Sequence, residues 1–352
     1  MNLRDVLLMR IAQNGPISLA DYMAECLLHP THGYYTCHMP FGVEGDFITA
    51  PEVSQMFGEL IGLCLAQCWM EQGRPQQFTL AELGPGRGTL MADALRATRG
   101  IDGFHAAARI TLIEASPRLK VLQQQMLSDY EIDTLGSVTD LPDRPLFAIA
   151  NEFFDALPIR QFSRSETNWR ETQVGAQNDQ LAMGYGPELP QPALAYRLAE
   201  TKPGDVVEYS PAAAPVIHEV GGRINRHGGA ALIIDYGAWR SLGDTFQAVR
   251  AHQPADPLVD PGQADLTAHV DFEALAEAAP CAHTRLTPQG VFLERLGITQ
   301  RAQSLAEHLS GPALETHIAG HRRLTHPDEM GNLFKVMGLF PNDGPPPPGL
   351  EK

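Results

Sequence analysis

The 352-residue sequence predicts an α/β fold: a Rossmann-like parallel sheet covered by helices, preceded by a helical segment and interrupted by β-hairpin and helical insertions. Two observations carry this expectation. From residue 78 the chain alternates short apolar runs with helix-like stretches, the order that lays strands side by side and helices across them. The first run, Phe78–Leu83, passes through Gly84-Pro-Gly-Arg-Gly88 straight into a helix, and a ligand belongs at such a strand–turn–helix junction.

The elements follow in order. Residues 1–75 read as helices and turns that pack on the core. Leu3–Asn14 comes first, then Ser18–Leu28, where Ser18 is an N-cap with Asp21 three residues on. A loop from His29 to Thr36 and the stretch Gly45–Ser54 precede a buried helix over Pro51–Met70, in which Val53, Met56, Phe57, Leu60, Ile61, Leu63 and Leu65 recur at helical spacing. The core spans 76–338. Strands Phe78–Leu83, Arg109–Glu114 and Leu146–Glu152, with a weaker one near Ser137–Thr139, alternate with helices Thr89–Thr98 and Pro117–Leu127. Hairpin-like segments Ile159–Ser163, Trp169–Val174 and Gln180–Gly184, with Asn168 and Asn178-Asp179 as turn residues, mark an insertion near 159–205. Helix Pro211–His227 leads into the strongly apolar strand Ala230–Ile234, and a second, irregular insertion covers 247–271. Helix Phe272–Ala279, helical segments Glu294–Gly297 and Thr299–Leu309, and the apolar run Leu333–Met337 complete the core. Residues 339–352, with Pro345 to Pro348, read as a flexible tail.

A net charge of −16 argues against a general attraction to nucleic acid or to an anionic membrane and favours a basic protein or peptide as partner. The five cysteines lack paired metal-ligand spacing, and their odd number does not make a complete disulfide framework, so a reducing compartment fits. The first residues show neither a signal-peptide nor a transit pattern, and no apolar run approaches the roughly 18 residues of a membrane span. The expectation is a cytoplasmic protein with no membrane insertion.

The glycine segment decides the cofactor. A dinucleotide fingerprint reads G-x-G-x-x-G, whereas this chain reads G-x-G-x-G over Gly84, Gly86 and Gly88, with Glu82 two residues before the first glycine. An acid there suits a cation. S-adenosyl-L-methionine (SAM) brings an amino group and a sulfonium but no pyrophosphate, so Glu82 gains a charge-assisted partner instead of repelling phosphates. Glu114, at the end of the next strand, is placed to accept hydrogen bonds from the ribose hydroxyls, because neighbouring parallel strands end at one crevice.

With Glu82-Leu-Gly-Pro-Gly-Arg-Gly88, Asn151-Glu-Phe-Phe-Asp-Ala-Leu-Pro158 and Asp256–Asp271 in order, the chain closely resembles the MidA family of SAM-dependent methyltransferases. The blocks Gly45-Asp-Phe-Ile-Thr-Ala-Pro-Glu52, Gly229–Gly237 and Gly331–Met337 extend the resemblance from about residue 15 to 338. It implies a class I SAM-methyltransferase fold with added N-terminal and internal segments. It also implies a protein arginine methyltransferase, since the family activity is symmetric dimethylation of an arginine on a complex I subunit and its mitochondrial members are linked to assembly of that complex.

Methyl transfer needs a nucleophile aligned behind the activated methyl group, so the protein mainly positions. For an arginine acceptor, a carboxylate pair holds the guanidinium by bidentate hydrogen bonds. Glu152 and Asp155, in the loop after a sheet strand, are the candidate pair, with Asn151 as an added acceptor; the alternative is a turn with solvated or capping acids. Asp46 and Glu52 either cap a helix or close over the cofactor, and Asp235 and Tyr236 either face the pocket or serve structure. The stretch carrying His252, Asp256, Asp260, Asp265, His269 and Asp271 fits no metal spacing; its prolines suggest a substrate-binding loop or lid, with turn formation as the alternative. Two other readings stay open: a SAM-binding assembly factor with little turnover, and an NAD-dependent oxidoreductase, which the glycine spacing and Glu82 disfavour.

Overall fold

The computed structural model describes residues 1–37 and 49–352, which form two compact units. One holds residues 1–37, 155–213 and 238–274, the other 49–154, 214–237 and 275–352. The single N-terminal segment expected to end at residue 75 is corrected: its early helices belong to the first unit and its long helix to the second.

The second unit is built on a sheet whose main path runs through β1 (Phe78–Leu83), β2 (Ala108–Ile113), β3 (Ile132–Leu135), β4 (Leu146–Asn151), β5 (Gly229–Ala238), β6 (Ala282–His283) and β7 (Phe334–Phe340), with two two-residue strands paired beside it. They lie in the order β3-β2-β1-β4-β5-β7-β6. Pairing is parallel from β3 to β5, and β7 runs antiparallel to β5. The chain therefore reverses its direction of travel across the sheet between β1 and β4, and the carboxyl ends of β1, β2 and β4 surround the crevice this creates. Every residue of β1 and β4 is buried, which explains their mostly apolar sequences; Thr79, Glu82 and Asn151 are the polar exceptions. Phe78 meets Phe147 edge to face at 5.2 Å, and both join Phe57, Ile61, Leu65 and Trp69 of helix Gln55–Glu71 in one core. Burying each such side chain contributes roughly 1.5–3 kcal/mol.

Local chemistry sets where elements stop. The helix expected over Pro51–Met70 breaks at Ser54, which is extended (φ −162°, ψ 137°) and takes the Met56 N–H on its hydroxyl at 3.3 Å. The segment becomes a short helix, Ala50–Val53, followed by Gln55–Glu71. The weak strand expected near Ser137–Thr139 is a 3-10 turn, Val138–Asp140, because Ser137 caps it; the strand lies earlier, at β3. Residues 339–352 are not a flexible tail: Phe340 ends β7, Leu350 is buried in the core, and Arg285 N–H donates to the Glu351 carbonyl at 2.8 Å.

The first unit gathers the early helices and both insertions. Helices Leu3–Asn14 and Leu19–Leu28 pack with an antiparallel sheet ordered Ile17–Ser18, Trp169–Gln177, Arg160–Arg164 and Val206–Tyr209. Gln180–Leu189 runs along Trp169–Gln177 as well. The stretch read as irregular between 247 and 271 contains a small sheet in which Gln247–Arg250 pairs with Gln253–Ala255 and Asp265–Thr267. Leu7, Tyr22, Met23, Val174 and Leu266 share one buried cluster, so these distant segments fold as one body. Among the described residues no helix is long and apolar enough to cross a membrane.

Candidate functional site

The carboxyl edge of the second unit's sheet is built first by its turn. Gly84, Gly86 and Gly88 all take positive φ, at 62°, 53° and 88°. Gly84 is required twice over: its backbone is left-handed, and a Cβ there would stand 2.9 Å from Phe153 Cδ2. Gly88 is the N-cap of helix Thr89–Thr98 and brings no side-chain cap to its first turn, which leaves the N–H groups of Thr89 and Leu90 as donors for a polar ligand while the Met91 N–H turns to Glu82.

Glu82, the penultimate residue of β1, is a buried carboxyl, 3 % exposed, and its Oε2 has no hydrogen-bond partner among the described residues. Burial pushes the group up to about 8, opposed by the Met91 backbone N–H. A buried carboxyl with an open oxygen is costly unless a donor arrives, and a cationic one restores its charge. That open acceptor beside a glycine cradle fits the ammonium and sulfonium of SAM.

Glu114 follows β2 and is finished differently. Its Oε1 accepts the Ser116 N–H at 2.7 Å and its Oε2 accepts the Gln123 amide at 3.1 Å. Burial raises its pKa, and these donors oppose the rise. Gln123 also donates to the Gly86 carbonyl at 2.8 Å. Reading the residues in order missed Gln123; the available signal was a polar side chain one turn after Leu119, on the buried face of helix Pro117–Met126.

The end of β4 supplies the other side. Asn151 is its last residue and its Oδ1 is buried without a partner among the described residues. Glu152 is held at φ 50°, and its N–H donates to the Ile234 carbonyl of β5 at 2.9 Å. Its Oε1 accepts from the Ala50 N–H at 3.2 Å and from Asn151 Nδ2 at 3.3 Å. Asp235, fully buried, accepts the N–H groups of Phe154 and Tyr236, each at 3.0 Å, and so pins the backbone after Glu152. Tyr236 stands edge-on to Phe334 at 5.5 Å. Glu52 accepts the Thr89 hydroxyl at 2.6 Å and lies 3.7 Å from Arg87, tying the Ala50–Val53 helix to the glycine loop.

One unit thus collects Glu52, Glu82, Gly84, Gly86, Gly88, Glu114, Asn151, Glu152, Asp235 and Tyr236. Asp155 and His269 belong to the other unit, where the Asp155 carbonyl accepts the Ala268 N–H at 3.0 Å and the His269 N–H donates to Thr245 Oγ1 at 2.9 Å. Asp46 lies outside the described residues. Acids of the 252–271 stretch serve local structure: Asp256 takes the Leu258 N–H, Asp260 pairs with Arg250, Asp265 takes the Tyr35 hydroxyl, and Asp271 takes the N–H groups of Ser241 and Ala274. No group of three or more His, Cys, Asp or Glu among the described residues is arranged to hold a metal.

A parallel sheet with this strand order, a glycine turn after β1 and acids after β1 and β2 defines the class of SAM-dependent methyltransferases. The chain belongs to the MidA family of these enzymes: a family model described as "putative S-adenosyl-L-methionine-dependent methyltransferase" matches residues 60–291. It is 37 % identical to the Xenopus laevis protein arginine methyltransferase NDUFAF7, mitochondrial, across 96 % of this chain and 84 % of that one. It is 35 % identical to the human protein of the same name, across 96 % and 82 %. A solved Burkholderia thailandensis structure, a "likely methyl transferase" bound to S-adenosyl-homocysteine, matches with a TM-score of 0.85 and 28 % identity over 99 % of this chain and 94 % of that one. These relatives correct the cytoplasmic expectation, because the curated ones are named mitochondrial. Acidic charge and an odd number of cysteines report on solubility and redox chemistry, which more than one compartment satisfies.

Proposed function

We propose that this methyltransferase modifies arginine in a protein substrate, with a respiratory complex I-type subunit as the first candidate. The observation that carries the reading is Glu152. A non-glycine residue in the left-handed region costs of order 1 kcal/mol or more and persists where surrounding structure enforces it, commonly at working sites. Here the Ile234 carbonyl and the Asp235 clamp enforce it at the carboxyl end of β4. A carboxylate held there offers a guanidinium a charge-assisted acceptor and draws its positive charge toward one face. Relatives of this chain named protein arginine methyltransferases support that acceptor class, and the net charge of −16 favours a basic partner.

On this reading Glu82, Glu114 and the three glycines hold SAM, which supplies an activated methyl group. Glu152 orients the acceptor nitrogen, Asn151 adds an amide acceptor, and Glu52 keeps the Ala50–Val53 helix closed on the loop. Glu152 holds the acceptor without the expected pair, since Asp155 belongs to the other unit; D155N tests Asp155 separately.

The test is methyl transfer from labelled SAM into cell lysate, with mass spectrometry of the modified residue. Methylated arginine is expected, and E152Q is expected to lower turnover about a hundredfold while S-adenosylhomocysteine binds as before. Methylation of another residue type, or unchanged turnover in E152Q, overturns the reading.

A further inference from the structure

We infer that Gln123 is a positioning residue for the cofactor ribose, acting through Glu114 and the glycine loop together; this rests on the ribose role proposed for Glu114. Helix Pro117–Met126 buries Leu119 and Gln123 along one face, and Gln123 is fully buried. A glutamine so placed has two amide donors that need acceptors. It finds them at opposite sides of the crevice, in the Gly86 carbonyl at 2.8 Å and Glu114 Oε2 at 3.1 Å. The same side chain lies beneath the third glycine, where a Cβ on Gly88 would stand 3.8 Å from Gln123 Cα and Cγ. One amide therefore ties the end of β2 to the turn after β1.

The consequence is geometric. Ser116 N–H and the Gln123 amide place one donor on each oxygen of Glu114. The Ala115 N–H donates to the same carboxylate, which leaves one of its about four lone-pair directions for a ribose hydroxyl. Those fixed donors set the plane of the carboxylate before any ligand arrives, which removes an ordering cost from binding. Without the amide, Glu114 rotates more freely and the Gly86 carbonyl loses its partner.

The experiment is isothermal titration of the full chain with S-adenosylhomocysteine and its 2′-deoxy analogue, for the wild type, Q123M and E114Q. Methionine keeps the length and volume of glutamine and removes both donors. Wild type should lose about tenfold in affinity when the 2′-hydroxyl is absent, the worth of one hydrogen bond. Q123M should bind S-adenosylhomocysteine about tenfold more weakly than wild type and lose less than about threefold on removal of the hydroxyl. An equal hydroxyl penalty in Q123M and wild type overturns the inference. If E114Q binds both ligands as wild type does, the Glu114 reading itself fails; if E114Q is weakened and Q123M is not, only the part assigned to Gln123 fails. Should Q123M not fold, Q123L, which removes both donors without adding a charge beside Glu114, gives the same comparison.

Discussion

Neighbouring strands β1 and β2 each bring a buried glutamate to the same edge, Glu82 one residue before the end of the first and Glu114 one residue past the end of the second, yet the two are completed by different means. At Glu114 the protein supplies a donor to each carboxylate oxygen, from Ser116 and Gln123. At Glu82 it leaves Oε2 without a partner among the described residues, and burial holds the group protonated up to about pH 8. The first arrangement is an acceptor oriented by the protein's own donors, which suits a neutral partner. The second is an energetic deficit that a cation relieves. On the proposed reading, the same residue type thus reads two different parts of one ligand, and the surroundings decide which.

The largest way to test the contrast is E82Q. Losing a charge-assisted pair in a dry site should weaken S-adenosylhomocysteine binding about a hundredfold. Methylthioadenosine, which keeps the adenosine and lacks the amino-acid part, should lose less than about threefold, since the lost charge has no ammonium to meet. Titration calorimetry separates the two ligands, and an equal loss for both would break the assignment of Glu82 to the cationic end.

A smaller effect is expected from E114Q. Replacing one carboxylate oxygen by an amide turns an acceptor into a donor facing the Ser116 N–H or the Gln123 amide, so about tenfold should be lost. Unlike E82Q, this loss should be the same for S-adenosylhomocysteine and methylthioadenosine, because both carry the ribose. A loss confined to S-adenosylhomocysteine would place Glu114 at the wrong end of the ligand.

What could be read from the chain follows the same division between local and distant chemistry. Phe78–Leu83 and Thr89–Thr98 match their expected bounds because strand, turn and helix are consecutive and each is signalled by its own residues. Ser18 is the expected cap, with the Asp21 N–H on its hydroxyl at 3.0 Å. The Ser54 break uses the same chemistry, but the apolar spacing running through it hid the signal. Residues whose meaning lies in a distant partner were not legible. Ile17 pairs with Val174, so the sharing of one unit by the first helices and the hairpin insertion depends on contacts that no window of sequence contains. The Pro-rich end likewise finds its place through Leu350 in the core. Gln123 reads as an ordinary helix residue until the helix folds back over the glycine loop. The left-handed backbone of Glu152 is imposed by the strand beside it and has no mark in its own sequence.

The smallest expected effect needs no ligand and isolates Glu82. Its carboxyl is raised from an ordinary value of 4.5 to about 8 in the folded chain, mainly by burial. Between those values the folded state holds a proton that the unfolded state has released, so its contribution to stability is complete below about pH 4.5 and is lost as pH rises toward 8. Glutamine at this position does not titrate. The thermal midpoint of E82Q minus that of the wild type should therefore grow from pH 5 to pH 8, by about 5 °C for a chain of this size. Glu114, whose oxygens already have donors, should give a smaller slope in the same comparison with E114Q. The pH dependence decides the matter and the absolute midpoints do not, because packing changes introduced by either amide are the same at every pH. A flat difference for E82Q would mean that its carboxyl is already ionised in the ligand-free chain, and the contrast between the two strand ends would disappear.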